Sequence, residues 1–538
     1  MSVTPANLPT NAEEVVDKKE FFNRILPLYE QGTADIELEA NVESARATIP
    51  AASGAPRDFS FIAPEIPEFI EENCVGCMDC VTECPDTAIL AKVAPKGDLD
   101  GVLDGMDDDK KANLKSEWAI TRKYYNAQEK RGEEPGYFGI FIDPTKCKGC
   151  AECVQVCDDL ALKMIKKTDD NMPKIKEKWD HFKATPPTPE RYINDKILAD
   201  MMLRDDTLQY VGGAGSCAGC GEATVLRMFI AATCYNYGSD NLGLVAATGC
   251  NTVYTSTYPY NPYNLPWSNS LFENAPTYAM GVRAKWDQQG WSDKKLWVIG
   301  GDGAMMDIGF QALSRMLMSG MDINVIVLDT QVYSNTGGQA STATFLGQNT
   351  KMSVHGKVIG GKTERRKELA QICMAHPDVY VAQTTAAHTN HFYKAINRAN
   401  EFKGPSVIIT YTTCQPEHGV GDHLAGERAR AAVDSRAFPL IEYDPERGTL
   451  ISEHLSLKGN PLPAKDWYVN PKTKERIDFV TFARGEGRFE KHFDKEGDPS
   501  ETLLKGNEDR RLNWRQLQEM SGMTPEQPEP EVEAEAKS

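Results

Sequence analysis

No apolar stretch in this sequence approaches the roughly 18 uninterrupted residues that a membrane-spanning helix needs, and the opening MSVTPANLPTNAEEVVDKKEFF has no apolar core of the secretory-signal kind. Basic residues are also short. Lys and Arg total 59 against 78 Asp and Glu, a net charge of −19, which argues against nucleic acid or an anionic membrane surface as a partner. Scattered cysteines, the mark of a disulfide framework, are missing as well: most of the 14 cysteines stand two or three residues from another. In a chain expected to be cytoplasmic, that spacing reads as metal or cluster ligation.

What is present suffices for about three domains, because 538 residues with 41% apolar side chains can fill several cores. Residues 1–59 read as a polar N-terminal extension ending in the connector ATIPAASGAPRDF. Residues 60–170 hold two cysteine groups around an acidic insert, KGDLDGVLDGMDDDKKANLK, which lacks the full calcium-loop ligand series and reads as a solvated loop. Residues 171–205 form a linker. Residues 206–430 alternate apolar runs with helical periodicity, as in KKLWVIGGDG, AMMDIGFQALSRMLMSG and INVIVLDT, which predicts a strand, a helix and a strand in an α/β parallel sheet with ligands at the strands' carboxyl ends. Residues 431–523 read as an irregular C-terminal arm and 524–538 as a disordered acidic tail.

CVGCMDCVTECP places Cys74, Cys77, Cys80 and Cys84 in the bacterial ferredoxin spacing, and CKGCAECVQVCD repeats it at Cys147, Cys150, Cys153 and Cys157. In that α+β arrangement three thiolates of each run wrap one cubane and the fourth reaches across to the other. Cluster one then takes Cys74, Cys77, Cys80 and Cys157; cluster two takes Cys147, Cys150, Cys153 and Cys84. Zinc is the competing reading, but it favours two well-separated C-x-x-C halves per ion. Asp158 replaces the proline expected after the last cysteine, a change that alters charge near the cluster rather than its ligation. Cys217 and Cys220 form another C-x-x-C, while Cys250 and Cys414 end the runs LGLVAATGC and VIITYTTC. A third cluster, a redox dithiol, a zinc half-site and buried small hydrophobes all fit these four. Cys234 and Cys373 lie in helical apolar settings and read as core.

The chemistry narrows at IGGDGAMMDIGF and DTQVYSNTGGQ. Gly301 and Gly303 let backbone approach a diphosphate, the next helix offers free N–H groups, and Asp302 offers a hard oxygen to magnesium. Thr330 ends the following strand, so its hydroxyl and the Val332 carbonyl complete the protein's share of an octahedral shell. This is the layout expected of thiamine diphosphate with Mg2+.

With these motifs the chain resembles the pyruvate:ferredoxin and other 2-oxoacid:ferredoxin oxidoreductases, over roughly residues 60–430, in the form of a ferredoxin-fused beta-type subunit. CAGCGE, ATGC, DTQVYSNTGGQ and WSNSLFEN carry the likeness; FENAPTYAMG departs from the acidic run more usual in the family. The resemblance implies a ferredoxin-like domain with two [4Fe-4S] clusters ahead of a thiamine-diphosphate domain. It also implies a third, proximal cluster on Cys217, Cys220, Cys250 and Cys414. Cofactor contacts would come from Glu222, Cys250, Gly301, Asp302, Gly303, Ala304, Thr330, Gln331, Val332, Tyr333, Ser334 and Asn335, with Glu222 and Asn335 catalytic and Asn335 meeting substrate. The implied activity is oxidative decarboxylation of pyruvate to acetyl-CoA and carbon dioxide, with electrons leaving to ferredoxin or flavodoxin. Only the diphosphate-binding half of a thiamine site is legible, so an alpha-type subunit carrying the pyrimidine-binding half is expected, in an assembly with two copies of each chain. An electron-transfer subunit with a non-catalytic thiamine-like domain, and the same chemistry on another 2-oxoacid, are the alternatives.

Overall fold

A computed structural model describes residues 17–45, 49–265, 267–356 and 360–526. Parts of the N-terminal extension (1–16 and 46–48) and most of the acidic tail (527–538) lie outside the described residues. The rest divides into two compact units, one within Met1–Gly301 plus Gly421–Gly426, the other within Asp302–Val420 plus Glu427–Ser538.

In the first unit, Glu65–Phe69 pairs antiparallel with Leu162–Lys166, while Gly136–Ile142 lies between Ile89–Pro95 and Trp118–Ala119 in a second antiparallel sheet. Both cysteine groups enter the core between these strands, beside the buried Ile66, Val81, Phe138 and Leu162. The acidic insert is not a solvated loop. It forms helices at Lys96–Asp104 and Asp108–Lys115, because Leu99 and Leu103, four residues apart on one helix face, and Leu114 bury themselves around Phe141 and Phe182. Further along, Gly221–Tyr237 is a 17-residue helix buried continuously from Gly221 to Cys234. Its run of apolar residues has no polar face to offer water, so it packs as an interior helix. The strands Lys295–Gly301 and Trp267–Ser270 lie parallel to Leu242–Ala247 on either side.

The second unit is built on Asn324–Asp329, Ser406–Tyr411 and Tyr380–Thr385, which pair parallel in that order. Every residue of the three is buried, the pattern of strands covered on both faces. Among the covering helices, Thr389–Glu401 buries Phe392, Tyr393, Ala395, Ile396 and Ala399, one helical stripe. The α/β fold with a parallel-rich sheet is thus the one the alternation of apolar runs predicts. The segment read as an arm adds two antiparallel strands, Ile441–Tyr443 and Leu455–Ser456, at the Tyr380–Thr385 edge. It also contributes the 20-residue helix Glu501–Met520, whose N-terminus is capped by Ser500 accepting from Leu503 N. Among the described residues no helix is long and apolar enough to cross a membrane.

Candidate functional site

The two cysteine groups adopt one backbone course twice. Gly76, Met78 and Thr87 have φ of +77°, +69° and +55°; their counterparts Gly149, Ala151 and Leu160 have +70°, +65° and +55°. Left-handed residues turn the chain sharply soon after the first, second and fourth cysteine of each group, and outside glycine they are uncommon enough that the repetition marks a shared constraint. Thiols gather accordingly. Cys84, Cys147, Cys150 and Cys153 line one small pocket with Asp86, Lys148 and Glu152. Burial, opposed by the Gly149 N–H and reinforced by Cys84, pushes the Cys147 thiol up to about 12. On the other side, burial pushes Cys74 up to about 12 against the Gly76 N–H, with Cys77 and Cys157 adding to it. Cys80 is raised by burial and then by Cys77, Cys74 and Cys157. Cys74, Cys77 and Cys80 thus each have Cys157 of the other group as a neighbour, and Cys147, Cys150 and Cys153 have Cys84, with Cys80 also facing Cys153. Buried thiols resist ionisation unless a cation answers them, and a four-thiol cage suits a cubane.

Cys217, Cys220 and Cys250 belong to the first unit and Cys414 to the second; Cys217 is exposed and the other three are half-buried. Glu222 is buried in the first turn of the helix Gly221–Tyr237. Tyr254, on the helix Cys250–Thr255 that starts with Cys250, donates to its Oε2 at 3.5 Å. Burial pushes this carboxyl up to about 8, with the Tyr254 bond opposing, so Glu222 is largely protonated at neutral pH.

The oxygen site lies within the second unit. Asp302 is buried at the head of a wide helical turn, Gly303–Ile308, in which Gly309 N reaches back five residues to Ala304 O (2.7 Å), a π-type bulge of the kind that gathers at functional sites. Gly303 is required there: a Cβ would stand 2.3 Å from the Tyr333 ring. Thr330 N donates to Asp302 Oδ1 (3.3 Å), and Thr330 Oγ1 lies 3.2 Å from that oxygen, 3.1 Å from Val332 O and 2.6 Å from Ser334 Oγ. One hydroxyl has one proton to give, so the three neighbouring oxygens cannot all be answered by it. Adjacent ligands of an octahedral Mg2+ at about 2.1 Å stand about 3 Å apart. Carboxylate, hydroxyl and carbonyl here fit that spacing and that hard-oxygen chemistry. Asp302 is raised well above the usual carboxylate range by burial and by Asp329, against Ser341 and Thr330; a bound cation would reverse that.

Gln331 holds the turn after Thr330 at φ +59°. It is fixed from both ends, its N bonded to Asp329 Oδ1 (3.1 Å) and its Oε1 to Arg488 Nη1 (2.9 Å). Tyr333 donates to Asp307 Oδ2 at 3.0 Å, Ala304 is buried, Ser334 half-buried and Asn335 exposed; Gly301 ends the strand Lys295–Gly301. Sequence reasoning missed three supports. Ser341 Oγ donates to Asp302 Oδ2 (2.5 Å), His418 Nε2 lies 2.8 Å from Thr330 O, and Arg366 Nη2 pairs with Asp329 Oδ2 at 2.7 Å with both side chains buried. None has a spacing signature; GGQASTATF around Ser341 looks like any polar loop.

Residues 247–410 match the thiamine pyrophosphate enzyme family, C-terminal TPP-binding domain. A probable pyruvate-flavodoxin oxidoreductase of Escherichia coli is 30% identical over 473 residues, covering 74% of this chain and 38% of its own length. The pyruvate:ferredoxin oxidoreductase of Moorella thermoacetica is 26% identical over 72% of this chain and 37% of its own. Over about three quarters of its length this chain is thus similar in sequence to pyruvate:ferredoxin and pyruvate-flavodoxin oxidoreductases. It spans less than half the length of these relatives. A solved 2-oxoglutarate:ferredoxin oxidoreductase of Magnetococcus marinus is 20% identical, covering 38% of this chain and 65% of that one, with a TM-score of 0.33.

Proposed function

We propose that the chain is the thiamine-diphosphate-binding and cluster-bearing part of a pyruvate:ferredoxin oxidoreductase, working with an alpha-type partner. The observation that carries this is the oxygen set of Asp302, Thr330 and Val332 inside the matched thiamine domain, in one chain with two four-thiol sets.

In this reading Asp302, the Thr330 hydroxyl and the Val332 carbonyl hold Mg2+ and through it the diphosphate, with Gly301 to Ala304 and Gln331 to Asn335 lining the cofactor. Thiamine diphosphate, when bound, supplies the electron sink for decarboxylation of a 2-oxoacid, and the iron–sulfur clusters accept electrons singly. Asn335, exposed past the turn, orients the substrate. Glu222, kept neutral by burial, offers a hydrogen bond without adding negative charge. Cys74, Cys77, Cys80 and Cys157 hold cluster one, and Cys84, Cys147, Cys150 and Cys153 cluster two. A proximal cluster on Cys217, Cys220, Cys250 and Cys414 belongs to the same reading, as do coenzyme A as acyl acceptor, ferredoxin or flavodoxin as electron acceptor, and a cytoplasmic assembly with two copies of each chain. Residues 60–170 form the ferredoxin-like part and 206–430 the thiamine part.

The test is 2-oxoacid-dependent reduction of a low-potential dye by the anaerobically co-purified complex, comparing pyruvate with 2-oxoglutarate and branched 2-oxoacids in the presence of coenzyme A. Pyruvate should be preferred at least tenfold. Reduction with none of them, despite bound iron and partner, would favour a purely electron-carrying role.

A further inference from the structure

Inside the cysteine region sits a charge that no ligand assignment uses. Arg227 is on the helix Gly221–Tyr237, seven residues past Cys220, and its side chain is buried with 1% exposure. Nη1 donates to the carbonyls of Val81 and Cys84, the latter at 3.1 Å. Nε and Nη2 have no hydrogen-bond partner. The charged and titratable groups facing the guanidinium are Cys84, Cys80, Asp86 and Tyr210. Asp86 is already engaged: Lys148 Nζ donates to it at 2.6 Å, both side chains being buried, and also donates to Ala214 O and Ser216 O.

Two cations therefore enter this core on different terms. Lys148 brings its own carboxylate, so little net charge remains. Arg227 brings none, cannot shed its proton, and leaves donors unanswered, a combination that natural interiors avoid unless something absent from the bare chain neutralises it. Cys80 and Cys84 belong to different four-thiol sets, which places the guanidinium at the seam between the two.

We propose that Arg227 is the buried counter-charge shared by the two ferredoxin-type clusters and holds both at a higher potential than they would otherwise have; the inference rests on the reading of two cubanes given above. A cubane with four thiolates carries net negative charge and gains one more unit on reduction. A fixed cation in a low-dielectric interior stabilises the reduced form more than the oxidised one. Because Arg227 faces a ligand of each set, its removal moves both potentials in one direction.

The experiment uses the complete complex, purified anaerobically, as parent, Arg227→Gln and Arg227→Lys, with iron and sulfide counted per chain and the ferredoxin-type clusters titrated by EPR-monitored reduction. The expected result is parental iron in both variants, a shift of both midpoints to lower potential in Arg227→Gln, and midpoints near the parent's in Arg227→Lys. Parental iron with unmoved midpoints in Arg227→Gln overturns the proposal and leaves Arg227 as a tie between the Val81 and Cys84 carbonyls. Loss of iron from both variants also overturns it, in favour of a scaffold role. If Arg227→Gln alone loses iron while Arg227→Lys keeps it with near-parental midpoints, a charge requirement stands. A parent without cubane iron refutes the underlying reading rather than this step alone.

Discussion

Around Asp302 the ligand-type oxygens stand in a net of the chain's own hydrogen bonds, from Ser341, Thr330 and, one step out, His418. Around the cysteines from Cys74 to Cys157, thiols lie close to one another, and Cys74, Cys80, Cys147 and Cys153 are raised by burial first, with neighbouring thiols adding to it. The oxygens around Asp302 are held in place by the chain's own hydrogen bonds. The cysteine groups have a repeated backbone, with its twin left-handed turns, and in the proposed reading iron completes the charge balance of their interior. Metal binding and folding should accordingly be coupled more tightly in the second case than in the first.

The largest effect separates the two regions outright. Asp302→Ala removes the only carboxylate of the proposed magnesium set and should weaken thiamine diphosphate binding by roughly 100-fold or more, leaving iron unchanged. Cys84→Ala should do the reverse, removing about four irons per chain with cofactor affinity retained. Calorimetric titration of the cofactor and iron analysis on the same preparations check both. If either variant lost both properties, the two sites would not be the independent structures described here.

Next comes the electrostatic floor of the oxygen site. Arg366→Met strands the Asp329 carboxylate in the interior, and breaking a buried pair from one side costs about 3–5 kcal/mol. Denaturant unfolding of the cofactor-free protein measures it. An effect under about 1 kcal/mol would mean that Asp329 finds another counter-charge.

Glu222 supplies a pH test, because like Asp302 it is a buried carboxyl pushed upward, but no magnesium is proposed for it. Its folded value of about 8 lies above the ordinary 4.5. The folded state therefore holds the proton more tightly than the unfolded one, a contribution fully present below pH 4.5 and lost as pH rises to about 8. Glu222→Gln cannot ionise, so its stability relative to the parent should climb across that window and level off above it, by a few kcal/mol at most. Parallel stability curves for the two proteins from pH 5 to 8 would show that Glu222 is hydrated or paired after all.

The contrast also explains what was legible. Within each cysteine group the proximity is local: spacings of three and four residues fix which thiols share a turn, so the two proposed sets of four could be written from the sequence, and the structure packs both groups into one core. Asp302 and Thr330 were legible because each directly follows an apolar run that reads as a strand, and the structure puts Thr330 Oγ1 3.2 Å from Asp302 Oδ1. Ser341 was not, since a serine 39 residues away in a polar loop reaches Asp302 only through the course of that loop. Arg488 was hidden for the same reason, arriving at Gln331 from a segment that reads as an irregular arm. The acidic insert misled because charge density masked the i, i+4 pair Leu99 and Leu103, which decides for helix.

Ser341→Ala asks how much the preassembled net is worth. Removing a group that orients a metal ligand usually costs 10–100-fold in metal affinity, about 1.4–2.7 kcal/mol, so Mg2+-dependent cofactor binding should fall by that factor with iron untouched. An unchanged affinity would mean that Thr330 alone sets the carboxylate's orientation.

The smallest effect tests the twin backbone itself. Gly76 and Gly149 occupy equivalent turns at nearly equal φ, so an alanine at either incurs the same left-handed strain, about 1 kcal/mol. Their surroundings differ. A Cβ on Gly76 would stand 3.2 Å from a Tyr124 ring carbon and 3.3 Å from Thr121 Cγ2, contacts that a small rotation relieves. On Gly149 it would stand 2.4 Å from Ala63 Cβ and 3.1 Å from Glu65 O, where backbone must move. Overpacking of that kind adds about 1–3 kcal/mol. In iron-loaded protein under anaerobic denaturation, Gly149→Ala should therefore lose clearly more stability than Gly76→Ala, although the two changes are the same in sequence context and backbone angle. Equal losses would show that the segment carrying Ala63, just ahead of the strand Glu65–Phe69, yields without cost, and that the second cysteine group is no more tightly enclosed than the first.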